Sequence, residues 1–131
     1  MEIKPQKILS ASVTMEDDFV LGNGIESCEI GIKLIRPPKF PNELYVFITY
    51  QYIINSLKTN KAFRSKIIKP FGVSPYNEIC DVDIYECITK TKEQVQLIVN
   101  SLFINFQTTP EVKVSSFEEL KEDLNNSLAS L

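Results

Sequence analysis

The chain has 131 residues, of which 44% are apolar and 24% charged, and a formal net charge of −3. That length is one domain's worth, residues 1–131, and folding at this size buries roughly two thirds of the unfolded surface, so a disulfide framework is not needed for stability. The slightly acidic balance excludes the basic footprint of a nucleic-acid binder and points to protein partners instead.

No apolar stretch approaches the ~20 residues that span a bilayer, and the N-terminus lacks the apolar core of a signal peptide. A cytoplasmic protein without membrane insertion is therefore expected. The three cysteines, Cys28, Cys80 and Cys87, are odd in number and form no Cys-x-x-Cys pair. Reduced thiols packed as small apolar groups are the expectation.

In chain order, the moderately apolar run Ile8 to Met15, ending in the acidic turn Glu16-Asp17-Asp18, reads as a first strand, and Gly22-Asn23-Gly24 marks the loop after it. From Cys28 the pattern alternates, with Cys28, Ile30, Ile32 and Leu34 on one face and Glu29, Gly31 and Lys33 on the other, until Pro37-Pro38 stops it. The run Leu44 to Ile54 places Leu44, Val46, Ile48, Tyr50, Tyr52 and Ile54 on one face and Tyr45, Phe47 and Ile53 on the other, so both faces are apolar. A turn at Lys58-Thr59-Asn60-Lys61 leads into a hairpin partner, Ala62 to Ile68, whose end is disturbed by Pro70 and Gly72. After Pro75 the period changes to three and four through Ile84, Ile88, Val95, Ile98, Val99, Leu102, Phe103 and Phe106, which predicts a helix, or a helix broken near Thr89-Lys90-Thr91. An extended link, Pro110 to Val114, precedes a last helix capped by Ser116 with Glu119 three residues on, its apolar stripe being Phe117, Leu120, Leu124, Leu128 and Leu131. Four strands followed by two helices give the α+β class, an antiparallel sheet with helices segregated to one side.

The search for chemistry is mostly a record of absences. With no histidine in the chain there is no Ser-His or Cys-His dyad, no imidazole ligand and no group titrating naturally near neutrality. Glu78, Cys80, Asp81, Asp83, Glu86 and Cys87 form the one local concentration of possible ligands, but their spacing fits neither a calcium loop nor a zinc site. The cluster reads as an acidic helix start, where carboxylates complement the helix dipole. Gly22-Asn23-Gly24 is too short a glycine motif for a phosphate loop. No catalytic residue, metal ligand or cofactor is expected.

What the sequence offers is a surface. One face of the Leu44 to Ile54 strand must pack beneath the helices, and the mainly aliphatic even-numbered set suits that role. The odd-numbered face then presents Tyr45, Phe47 and Ile53 to another molecule, since apolar patches of several hundred Å² mark interfaces. Two uses fit: a groove that accepts extended polypeptide without demanding a particular sequence, or a small structural or assembly protein, such as a phage-encoded one, whose apolar face is permanently covered by a single partner. Extra apolar surface on a 15.0 kDa protomer also favours a closed homodimer or homotetramer.

The order of elements resembles the SecB-like protein-export chaperones, whose protomer has a four-stranded antiparallel sheet followed by two helices. Ile8 to Glu16 is similar to the family's first strand, Cys28 to Leu34 and Glu43 to Tyr50 to its second and third, and Phe63 to Val73, with Phe71, to its fourth. Pro110-x-Val112-x-Val114-x-x-Phe117-x-x-Leu120 resembles the segment that joins and opens the family's final helices. The family's glycine pair after the fourth strand is replaced by Lys69-Pro70, and its Cys- and Pro-containing helix start has no counterpart. The resemblance implies binding of unfolded or extended polypeptide clients by an oligomer, in protein export or in toxin–antitoxin control. It also implies Glu16 as a partner-docking residue, while Ser12, standing where the family carries an acidic residue for the SecA motor, weighs against docking to SecA.

Overall fold

The computed structural model of the chain describes residues 1–15, 19–21, 26–57, 62–106 and 109–131. Its elements are β1 (Glu2–Pro5), β2 (Ser10–Thr14), β3 (Glu26–Ile35), β4 (Leu44–Asn55), β5 (Ala62–Ser74), a 3-10 turn at Tyr76–Glu78, α1 (Asp81–Leu102) and α2 (Phe117–Ala129). The strands form one antiparallel sheet in the order β1-β5-β4-β3, with β2 also pairing β5. The α+β class and the strands-then-helices order are as the sequence implies, but the sheet has five strands where four were expected. The expected first strand is shorter, Ser10–Thr14, and an additional one, Glu2–Pro5, precedes it.

β1 and β2 are two halves of one sheet edge. Pro5 stands opposite Phe71 and Ser10 opposite Ile68, so Gln6 to Leu9 bulge out opposite Lys69 and Pro70 alone. An excess of two residues leaves the alternation of faces unchanged on either side. The bulge also explains why Pro70 does not end β5. Gln6 N–H donates to Pro70 O at 3.1 Å, so the peptide groups of Pro70 point to the bulged edge and its missing N–H costs no bond in the β4–β5 ladder. The ammonium of the buried Lys69 donates to Gln6 O and pins the bulge from the helix side.

In β4 burial alternates without exception from Leu44 to Ile54, the even-numbered residues being buried and the odd-numbered ones half-buried. The buried row meets Phe63, Ile67, Phe71 and Val73 of β5 and, from above, Ile84, Cys87, Ile88, Val95 and Val99 of α1. Full burial of one such aliphatic side chain contributes about 1.5–3 kcal/mol, so this contact is the main source of stability. Of the two forms the sequence allows, α1 takes the unbroken one and runs through Thr89-Lys90-Thr91. Thr89 and Thr91 turn their hydroxyls back onto the carbonyls of Tyr85 (3.0 Å) and Cys87 (2.8 Å), which satisfies them inside the helix.

α2 starts as the sequence predicts, Ser116 Oγ accepting from Glu119 N–H at 3.3 Å. It buries Leu124 fully and Phe117, Leu120 and Leu128 partly, while Leu131 lies beyond the helix and is exposed. α2 packs on α1 and over β3, whose row Cys28, Ile30, Ile32 and Leu34 is half-buried. No described helix is long and apolar enough to cross a membrane. The expected turns at Gly22-Asn23-Gly24 and Lys58 to Lys61, and the docking candidate Glu16, lie outside the described residues.

Candidate functional site

Both helices pack on the even-numbered side of β4, so the opposite side of the sheet carries no described helix. Tyr45 and Phe47 lie on this open side, as the alternation requires. The strand register adds three neighbours that sequence reasoning did not assign to it. Tyr45 pairs with Ile35 of β3, Phe47 with Pro70 of β5, and Ile68 follows two residues before Pro70 on the same face. Together they form a largely apolar zone near one end of the sheet, in which Ile35 is exposed, Tyr45, Phe47 and Ile68 are half-buried and Pro70 is buried, with the exposed Lys33 beside Phe47 on β3. The other end is polar, with Gln51 flanked by Glu29 and Lys66, and Arg64 beyond. Ile53 sits in that polar half, beside Ser27 and Arg64. At about 3.3 Å per residue it is roughly 20 Å from Phe47, so it does not join the Tyr45–Phe47 zone.

Tyr45 is held as well as displayed. Its hydroxyl donates to Glu43 Oε2 at 3.5 Å, and a methyl added at the facing Gly72 would lie 3.5 Å from its ring. Gly72 therefore leaves a shallow cleft, lined by Lys4, Gln6, Glu43 and Tyr45, with a volume of about 170 Å³. Pairing an aromatic ring with a glycine across the strands covers backbone that would otherwise be bare.

The helix side is closed by the link between α1 and α2. Tyr50 donates its hydroxyl to Lys113 O, Tyr52 to Glu111 O at 3.4 Å, and Tyr85 to Ser115 O at 3.0 Å. Gln96 completes the clamp, its Nε2 donating to Pro110 O at 3.0 Å and its Oε1 accepting from Val112 N–H at 2.7 Å. A side-chain amide thus supplies the two bonds a neighbouring strand would make. This arrangement shows why two tyrosines can stand in the buried row of β4: each ring fills the core and each hydroxyl finds a carbonyl at the rim. Between the link and the start of β3 a cleft of about 310 Å³ remains, lined by Glu26, Ser27, Cys28, Tyr52 and Lys113.

The acidic cluster sits where a helix start would place it. Asp81 and Asp83 are in the first turn of α1, and Asp83 Oδ2 accepts from Cys80 N–H at 2.9 Å. Among the described residues no three His, Cys, Asp or Glu side chains come together as a metal site. Cys80 is exposed and Cys28 half-buried, so burial as a small apolar group holds for Cys87 alone.

Burial pushes the Cys87 thiol up to about 12 from its ordinary 9.0, with the Glu86 carboxylate adding to the effect. Burial likewise raises the phenols of Tyr50 and Tyr52. A group whose folded value is raised stabilises the fold in full below its unfolded value and loses that contribution as pH rises towards the folded one. The thermal midpoint is therefore expected to fall as pH rises above about 9, with the tyrosines adding to the fall from about 10. Below about pH 9, where the fold keeps this contribution in full, the exposed Cys80 should react with a thiol reagent rapidly and the buried Cys87 only after denaturation. A fast-reacting Cys87 in the folded Cys80→Ala variant would contradict its burial.

No family model matches the chain, and no curated protein sequence matches it. A search of solved structures finds the SecB-like chaperone Rv1957 of Mycobacterium tuberculosis, solved in complex with a ChAD peptide from the antitoxin HigA1 (Rv1956). The TM-score is 0.60 at 10% sequence identity, over 87% of this chain and 91% of that one. The architecture described above is thus the fold of a SecB-like chaperone.

Proposed function

We propose that the protein is a non-enzymatic, SecB-like binder of unfolded or extended polypeptide. The observation that carries this reading is the open sheet face, where Tyr45 and Phe47 stand with Ile35, Ile68 and Pro70 on the side away from both helices. The shared fold with a chaperone solved in complex with an antitoxin peptide supports it. Rings and aliphatic side chains on a rigid sheet take apolar side chains of many shapes, and burial returns about 25 cal/mol per Å² before the cost of ordering the client. The protein would act as a homodimer or homotetramer, with Tyr45 and Phe47 as client anchors and Ile53 as an outlying contact. Its clients would belong to toxin–antitoxin control or to export. Ser12, on β2, weighs against a SecA-dependent route.

The test is promiscuity. Titrated with several unrelated, reduced and unfolded model proteins, the protein should bind each of them and slow their aggregation, and light scattering should show a dimer or tetramer. Binding of a single folded partner, with no affinity for unfolded chains, would replace this reading by that of a dedicated assembly protein.

A further inference from the structure

A second site lies at the end of the sheet, where the β3–β4 connection meets the turn after β5. Arg36, Pro37, Pro38, Pro41 and Tyr76 line a cavity of about 300 Å³, at the lower end of the range for ligand pockets. Its walls are fixed before anything binds. The prolines hold their own φ angles, and Phe40 N–H donates to Pro37 O at 3.2 Å and Glu43 N–H to Phe40 O at 3.0 Å. Tyr76 N–H donates to Asn42 O at 2.9 Å, which ties the connection to the segment that supplies the tyrosine. A preformed pocket of this kind loses little entropy on binding.

The lining is mixed, with three proline rings and the Tyr76 ring as its apolar part and Arg36 as its one cation. The Arg36 guanidinium lies 5.0 Å from the centroid of the Tyr76 ring. This cation–π contact holds the guanidinium beside the ring, and a guanidinium can pair with a carboxylate by two parallel N–H···O bonds. Among the described residues no carboxylate forms an ion pair with it. Two carboxylates of the neighbouring segments are otherwise engaged, Glu43 by the Tyr45 hydroxyl and Glu78 by the terminal ammonium at 3.6 Å. The exposed Lys39 adds a second positive charge on the same connection.

We propose that this pocket binds an acidic-aromatic segment of a partner polypeptide, a carboxylate on Arg36 with an adjacent aromatic ring laid on the prolines and Tyr76. Charge complementarity selects the carboxylate, and the flat proline and tyrosine walls select a ring over a branched aliphatic chain. The site is independent of the open sheet face and holds whether or not that face binds clients.

The probes are acetyl-Glu-Phe-amide and its counterpart acetyl-Gln-Phe-amide, titrated into the ¹⁵N-labelled full chain and followed by NMR. The acidic probe should shift the amides of Arg36, Lys39, Phe40 and Tyr76 and bind at least ~5-fold more tightly than the neutral one, as loss of a charge-assisted pair requires. In Arg36→Gln, with the rest of the spectrum unchanged, both probes should bind as weakly as the neutral probe binds the native protein. Equal binding of the two probes to the native protein, an equal loss for both in Arg36→Gln, or shifts centred elsewhere would each overturn the proposal.

Discussion

Exchanging Ile48 for serine is expected to unfold the protein, whereas exchanging Tyr45 and Phe47 together for serine is expected to leave it folded and weaken its binding of unfolded polypeptide by roughly tenfold or more. The contrast follows from two faces of one strand. Ile48 is fully buried between the sheet and α1, so serine there leaves a cavity and buries a hydroxyl without a partner. Together these cost about 4–6 kcal/mol, a large part of the 5–15 kcal/mol typical of a domain. Tyr45 and Phe47 are half-buried on the open side, and losing their packing costs about 1–2 kcal/mol in all. Circular dichroism, the thermal midpoint and a client-binding titration on the same samples decide the matter. If the double variant collapses and Ile48→Ser is harmless, the assignment of faces is wrong.

The face assignment was legible because β3 and β4 alternate over ten and twelve residues and only one phase of each is aliphatic enough to lie under helices. β1 was not legible. Glu2-Ile3-Lys4-Pro5 has one apolar side chain and no alternation to detect, and it is a strand because β5 is long enough to offer it an edge. β5 itself was underestimated for a related reason: Pro70 and Gly72 read as breakers in isolation. The bulge at Gln6 to Leu9 removes the hydrogen bond that Pro70 could not have made, and the Tyr45 ring covers Gly72. The site divides the same way. Tyr45 and Phe47 were visible from periodicity, but Ile35, Ile68 and Pro70 join them only through register, and Ile53 proves distant for the same reason. The clamp on the link joins Tyr50 to Lys113 and Tyr52 to Glu111, residues 63 and 59 positions apart. No local pattern encodes pairs that remote.

Phe103→Ala is expected to destabilise the protein by about 3–5 kcal/mol, the range for removing a fully buried aromatic side chain. Phe103 closes the C-terminal end of α1, with its N–H on Val99 O at 3.0 Å, and its ring meets three others. Phe63 at the start of β5 lies 5.1 Å away and Phe19 5.9 Å away, both edge-to-face, and Phe106 stands at 4.8 Å. These rings join the segment 19–21, the β4–β5 end of the sheet and the end of α1. Among the described residues, the segment carrying Phe19 is tied further by two hydrogen bonds, Val20 N–H on Ser56 Oγ and Leu57 N–H on Val20 O, each at 3.0 Å, and by the packing of Leu21 against the core. Without the Phe103 ring it should open first, so amide exchange at Val20 and Leu57 should accelerate more than exchange in β4. The control is the adjacent Ile104→Ala, whose side chain is 77% exposed and whose loss should cost no more than about 0.5 kcal/mol. At about 1–3 kcal/mol per molar in urea, the two variants should differ by at least ~1 M in unfolding midpoint. Coincident midpoints would show that the aromatic cluster does not hold this end of the fold, and that α1 is secured by its contact with the buried row of β4 alone.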